Sequence, residues 1–324
     1  MPAAPARTSP ARPSGRKKLP RASSSKSRSP ALESLAALAQ GSRLTSQAIG
    51  VFDSGIGGLS ILKALRAELP HENFVYVADS GHAPYGERED CFVVARSRAI
   101  TRHLLTQQHV KVKALVIACN TATAAAIHLL REEHPNLPII GVEPALKPAT
   151  LLSRTRRIGV MATRGTLASA RFKRLRDSLA GQAEFVLQPC DGLADAIERG
   201  IDDKADPGSA TEILAACAHH TRAMGPFGLN EGEIDTLVLG CTHYPFASEH
   251  LRALLGPHVQ FLDTGAPVAR QTRLRLPAAE PQTVAPAAPG MGQVKLFTTG
   301  QTNTLQAAVQ HWLQLDSTVD SLHF

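Results

Sequence analysis

Two cysteines stand at matching points of this chain. ALVIAC ends at Cys119 and TLVLGC ends at Cys241, so each thiol follows a short apolar run by one small residue. Each is followed by polar residues, Asn120-Thr121 and Thr242-His243, that can donate hydrogen bonds to a carboxylate. A strand end followed by a helix N-terminus favours thiolate and lowers a thiol pKa. One such cysteine would suggest a nucleophile. Two, at equivalent points of a repeated unit, suggest thiols that face one ligand from opposite sides. Opposed acid/base groups suit racemisation, in which a proton leaves one face of a carbon and another returns to the other face. Asp53 and Glu143 are placed to help Cys119 or to hold a substrate ammonium group, and His243 to assist Cys241. A lone buried cysteine is usually a small core hydrophobe. Cys91, Cys190 and Cys217 fit that plainer reading.

The elements that must hold these residues alternate between strand and helix. AIGVF (48–52), FVYVA (74–78), ALVIA (114–118) and PIIGV (138–142) read as buried strands with helical patterns between them. The pattern then restarts with RIGVM (157–161), TLVL (236–239) and VQFL (259–262). Cys119 precedes Glu143 by 24 residues, and Cys241 precedes Asp263 by 22. Such alternation predicts an α/β fold of two similar domains, with parallel sheets flanked by helices, related by a pseudo-twofold axis. Ligands of such sheets bind at the carboxyl ends of the strands, where both cysteines lie. The turn DSGIGG follows the first strand. It fails the dinucleotide fingerprint GxGxxG because Ser60 occupies the third glycine position. That leaves a tight turn or a cradle for an anionic group at a helix N-terminus. Residues 271–292 carry four prolines and little periodicity, and are expected to form a flexible insert. VKLFTTGQTNTLQAAVQHWL closes the chain as strand, turn and helix, with Trp312 packing that helix onto the core.

Bulk properties exclude several classes. The net charge of +7 over 324 residues looks like a nucleic-acid signal, yet it sits in one place. Residues 1–46 hold nine Lys or Arg and one acid, Glu33, so the remainder is close to neutral. The Pro-, Ser- and Arg-rich start cannot offset its ordering entropy, and residues 1–47 are expected to be a disordered basic tail. It lacks the apolar core of a secretory signal. Its composition permits a transit peptide, but a solvated tail is the reading adopted. No apolar stretch is long enough to span a bilayer. Five cysteines without a CxxC pair argue against a disulfide framework, and no HExxH or Cys/His cluster offers a metal site.

At these residues the sequence resembles the glutamate racemases of the aspartate/glutamate racemase superfamily. The motifs are IGVFDSGIGGLSIL (49–62), YVADSGHAPYGER (76–88), ACNTATA (118–124), GVEPALKPA (141–149), GVMATRGT (159–166), LGCTHYPF (239–246), LDTG (262–265) and FTTG (297–300). The resemblance implies an enzyme that interconverts L- and D-glutamate without cofactor or metal, in the cytoplasm, supplying D-glutamate for peptidoglycan. It implies Cys119 and Cys241 as the acid/base pair. It places substrate contacts on Asp53, Ser54, Tyr85, Gly86, Asn120, Thr121, Thr242 and His243, with Glu143 as a supporting candidate. It also implies a nested division: 48–145 with 266–324 as one domain, and 146–265 as the other, with the site between them. The expected partner is the small-molecule substrate. A homodimer is allowed for, a membrane is not, and nucleic acid is expected only through the basic tail. The rival readings are racemisation of another acidic amino acid such as aspartate, and a nucleic-acid or partner-binding protein acting through that tail.

Overall fold

A computed structural model describes residues 47–106, 111–200, 207–276 and 290–324. Residues 1–46 of the basic tail and most of the Pro-rich insert lie outside the described residues; Gln47, counted with the tail, already belongs to the first strand.

Two sheets carry the architecture. The first contains β1 (Gln47–Asp53), β2 (Asn73–Ala78), β3 (Lys111–Ile117) and β4 (Ile139–Gly141). The second contains β5 (Arg157–Ala162), β6 (Glu184–Pro189), β7 (Thr236–Leu239) and β8 (Gln260–Leu262). Their orders are β2-β1-β3-β4 and β6-β5-β7-β8, with every pairing parallel. The repeat legible in the sequence is therefore a repeat of topology. β9 (Val294–Thr298) and β10 (Val319–Ser321) extend the first sheet beyond β2.

Parallel strands covered on both faces read as continuous apolar runs, because each face needs its own set of side chains. β1 shows this. Ile49 and Val51 enter the core on one face, while Ala48 and Phe52 enter the core on the other. β5 and β7 divide likewise: Met161, Leu237 and Leu239 belong to one core, and Ile158, Val160 and Val238 to its opposite. Burying each such aliphatic side chain contributes about 1.5–3 kcal/mol.

Helices cover the faces: α1 (Leu59–Glu68), α2 (Asp90–Thr106), α3 (Asn120–Glu133) and α4 (Leu146–Leu152) in the first half, then α5 (Arg164–Ala168), α6 (Ala170–Asp177), α7 (Leu193–Arg199), α8 (Pro207–Met224) and α9 (Ser248–Leu255) in the second. α10 (Gly265–Arg275) and α11 (Thr302–Leu313) follow.

Two expectations need correction, and one strand went unread. The insert does not begin at residue 271, because α10 continues to Arg275, with Val268, Ala269 and Thr272 buried along its inner face. At the other end, Gly292 N–H donates to Pro70 O at 2.8 Å, so the chain is already running beside the first sheet there. The strand β6 was not foreseen. Its residues EFVLQP are only half-buried beyond the exposed Glu184, which leaves no strong apolar run.

Candidate active site

In the order β2-β1-β3, connections leave β1 and β3 toward opposite edges, which opens a crevice beyond their carboxyl ends. Cys119 lies two residues past β3, and Cys241 two residues past β7. The thiols thus occupy the same point of each repeat.

Their surroundings differ. Cys119 is the N-cap of α3, and its Sγ accepts from Ala122 N–H at 3.4 Å. The thiol donates to Ser54 Oγ at 3.7 Å. Burial, then the charge of Asp53, pushes the Cys119 thiol well above its ordinary value, beyond what its two hydrogen bonds offset. Cys241 was expected to begin a helix as Cys119 does, but it does not. The chain after it makes a 3-10 turn, Tyr244–Ala247, and only then enters α9. A histidine stands in for the missing helix end, with His243 Nδ1 at 3.7 Å from Cys241 Sγ.

His243 in turn meets Glu198, on α7, at 2.6 Å through Nε2. Burial alone would lower the imidazole pKa. Hydrogen bonds to Cys241 and Glu198 outweigh it and raise the ring well above its usual value. The same carboxylate accepts Ile56 N–H, at 3.2 and 3.0 Å to its two oxygens, and Ser80 O–H at 2.8 Å. The GIGG turn therefore does cradle an anion at a helix N-terminus, and the anion is a side chain of this protein.

Asp53 is fully buried. Its carboxylate accepts Ser54 N–H at 2.7 Å and Thr242 O–H at 3.0 Å, a bond that ties the first strand end to the second cysteine segment. Burial raises its carboxyl pKa, opposed mainly by His243. Asn120 is buried, and neither its Oδ1 nor its Nδ2 has a hydrogen-bond partner. Such a group is rare and calls for an explanation. Thr121 Oγ1 lies 3.1 Å from Thr163 Oγ1, and Gly86 packs against the Thr163 side chain. The Tyr85 hydroxyl donates to Asp79. Burial pushes the Asp79 carboxyl up, but hydrogen bonds from Arg96, Tyr85 and Thr299 hold it below the usual carboxylate range.

The structure thus brings Asp53, Ser54, Cys119 and Thr242 into one bonded set, and His243, next in sequence to Thr242, into a second with Cys241 and Glu198. Asn120 and Thr121 follow Cys119 directly on α3, and Gly86 meets Thr121 through Thr163. Glu143 is part of neither set. It pairs with Arg171 and lines a cavity of about 940 Å³ together with Arg131, Lys147 and Arg275. Of the remaining cysteines, Cys190 and Cys217 are buried as the plain reading has it, and burial pushes Cys217 to about 11; Cys91 is exposed on α2 and is not the core hydrophobe expected.

Two residues escaped the sequence reading. Thr163 was findable, since aligning GVFDS with GVMAT sets it opposite Ser54. Glu198 had no signal: it sits in the ordinary helical stretch LADAIER, 45 residues before the histidine it serves. Among the described residues, no cluster of three or more His, Cys, Asp or Glu could hold a metal ion, and no helix is long and apolar enough to cross a membrane.

A doubly repeated α/β fold with a buried thiol at each equivalent strand end defines a class of acid/base isomerases. The sequence model for Asp/Glu/Hydantoin racemase matches residues 59–272. The chain is 46% identical over 261 residues to a glutamate racemase of Ralstonia nicotianae, covering 81% of this chain and 87% of that one. It is 48% identical over 223 residues to a glutamate racemase of Ectopseudomonas mendocina, covering 69% and 80%. Among solved structures, it matches Escherichia coli glutamate racemase in complex with L-glutamate and the activator UDP-MurNAc-Ala, at TM-score 0.70, 28% identity, and coverage of 86% of this chain and 98% of that one. The chain belongs to the Asp/Glu/Hydantoin racemase family.

Proposed function

We propose that Cys119 and Cys241 racemise glutamate as a two-base pair, one on each face of Cα. Cys241 takes the proton from L-glutamate and Cys119 takes it from D-glutamate. Whichever thiol is protonated returns its proton to the carbanion on the opposite face. The observation that carries this reading is the placement of both thiols two residues beyond equivalent strands, each buried among polar groups. In this account Asn120, with its unpartnered amide, takes a substrate carboxylate oxygen, helped by Ser54, Thr121 and Thr242. Tyr85 and Gly86 shape the wall, held by Asp79 and Thr163. His243, charged and backed by Glu198, shares a proton with Cys241. The first sheet with α10 and α11 forms one lobe and the second sheet the other, as the nested division 48–145 with 266–324 and 146–265 requires. We place the enzyme in the cytoplasm, supplying D-glutamate for peptidoglycan.

The test is polarimetric turnover without added cofactor. Racemisation of L-glutamate, with a much lower kcat/KM for L-aspartate, is expected. Equal values for the two, or a preference for aspartate, would refute the glutamate assignment.

A second reading concerns regulation, and the cavity beside Glu143 favours it. Burial, with Arg171 and Arg275 nearby, lowers the pKa of Arg131, as expected where cations crowd. Arg131, Lys147, Arg171 and Arg275 together suit a phosphate-bearing ligand. The Escherichia coli protein is described with such an activator, UDP-MurNAc-Ala. Adding that compound to the assay should raise kcat/KM, and the Arg275→Ala variant should respond less. No response in the intact protein removes this reading and leaves the first untouched.

A further inference from the structure

We infer that Trp312 is a positioning residue that sets where Cys241 stands relative to Cys119. The segment Cys241–His243 has no α-helix to hold it. It is closed instead by the 3-10 turn, in which Tyr244 N–H donates to Cys241 O at 3.1 Å and Phe246 N–H donates to His243 O at 3.0 Å. A displacement of Phe246 is therefore passed to the His243 backbone through its own hydrogen bond, and the neighbouring Tyr244 bond ties the same turn to the Cys241 backbone.

The Phe246 ring is in contact with two cores. It packs against the cluster built around Leu59, Leu62 and Leu305 of the first half, and against the cluster of Cys241, Tyr244 and Leu251 of the second. Its partner there is Trp312, with ring centroids 4.3 Å apart and an interplanar angle of 23°. Trp312 lies on the last turn of α11, whose Leu305, Ala308 and Val309 are buried in the first-half core. The adjacent His311 ring stands perpendicular to the indole, with ring centroids 4.4 Å apart. Trp312 Nε1 is buried without a hydrogen-bond partner, so ring packing alone fixes the indole. A path of packed side chains thus runs from the core on the face of the first sheet opposite Cys119, which includes its neighbour Ala118, through α11, Trp312 and Phe246, to the turn that carries Cys241. Polar links run alongside it: Ser60 O–H donates to Thr242 O at 2.9 Å, and Thr242 O–H donates to Asp53 at 3.0 Å.

This assignment rests on the two-thiol reading. Interconversion in either direction needs both thiols, so loosening the stack must slow net racemisation both ways, as the equilibrium requires. Removal of the Cα proton from L-glutamate, the step of Cys241, should suffer more than removal from D-glutamate, the step of Cys119. A misplacement of about 1 Å costs on the order of a hundredfold.

The experiment compares the intact protein with Trp312→Ala, Trp312→Leu, Trp312→Phe and Phe246→Leu. Initial Cα–H loss from each enantiomer is followed by proton NMR in heavy water, beside kcat, KM and the thermal midpoint. Trp312→Ala and Phe246→Leu should lower kcat roughly ten- to a hundredfold with KM changed by less than about threefold, and should lower L-glutamate exchange more than D-glutamate exchange. Trp312→Phe, which keeps a flat ring, should recover most of the loss, and Trp312→Leu should not. Equal loss on the two faces overturns the inference, as do wild-type rates in Phe246→Leu or equal recovery by Leu and Phe. Should Trp312→Ala fail to fold, Phe246→Leu and the Phe–Leu pair at position 312 still decide. Cys241→Ala, run alongside, separates the two claims: if it still racemises, the two-thiol reading fails. If it is inert while the Trp312 variants show no facial bias, only the present inference fails.

Discussion

Glu198 Oε2 lies 2.6 Å from His243 Nε2, and the other nitrogen of that ring lies 3.7 Å from Cys241 Sγ. The carboxylate, the imidazole and the thiol form one line of proton exchange, and the carboxylate end is anchored by Ile56 N–H and Ser80 O–H. Glu198→Gln keeps the shape but removes the charge that helps hold the proton on His243. The imidazole should then lose its proton at lower pH, since Glu198 is one of the groups that raises it. We expect kcat to fall by about a hundredfold and the alkaline limb of the kcat/KM profile to move toward lower pH. An unchanged alkaline limb would show that His243 titrates independently of Glu198.

A side chain at Gly57 tests how tightly the first turn fits the second half. A Cβ there would overlap the His243 ring and come within 2.8 Å of Thr242 Oγ1. Both neighbours are buried and bonded, so neither can retreat cheaply. Gly57→Ala should cut kcat by at least about tenfold, while Gly181→Ala, strained by a φ of +76° but with nothing within 4 Å, should lower stability and leave kcat alone. Full activity in Gly57→Ala would mean that the turn and His243 separate during turnover.

The Asp79–Arg96 pair is a stability device behind Tyr85. Arg96 donates from Nε and Nη2 at 2.9 and 2.8 Å to a carboxylate that is fully buried. Arg96→Ala leaves that charge uncompensated and should cost about 3 kcal/mol, measured by denaturant unfolding. The pH dependence has a definite sign. The Asp79 carboxyl is held below its ordinary value when folded, so its contribution is present above the unfolded pKa of about 3.9 and lost as pH falls through the folded value. Arg96→Ala should therefore lose much of the acid-induced destabilisation seen in the parent. An identical acid limb in both proteins would assign that limb to other carboxylates.

Deleting residues 1–46 should leave glutamate turnover within a few-fold, because that segment carries the excess charge and none of the motifs. A hundredfold loss with the fold intact, about 2.7 kcal/mol of transition-state stabilisation, would contradict this.

Strands buried on both faces were easy to read from the chain, because ALVIA and TLVL have few alternatives to a buried parallel strand. The thiols were legible for the same reason, each ending such a run. β6 was not, since its edge position leaves EFVLQP half-exposed and weakens the apolar signal. The start of the insert was misplaced because Gln271–Arg275 buries only Thr272, too little for helical periodicity to show. Glu198 was invisible for a different reason. Its role comes from a contact with Ile56 across 142 residues of sequence, and nothing in LADAIER distinguishes it from a solvated helical acid. Glu143 shows the converse: it sits two residues past β4, where a site acid was expected, yet it bonds Arg171.

The two-base assignment is tested most directly by following the Cα proton in heavy water, with Cys119→Ala and Cys241→Ala each given L- and D-glutamate in turn. Each variant should lose racemisation, because the carbanion has no donor on one face. Cys119→Ala should keep slow Cα–H exchange with L-glutamate alone, and Cys241→Ala with D-glutamate alone. Racemisation by either variant at near the parent rate, or exchange of the same enantiomer by both, would contradict two thiols acting from opposite faces.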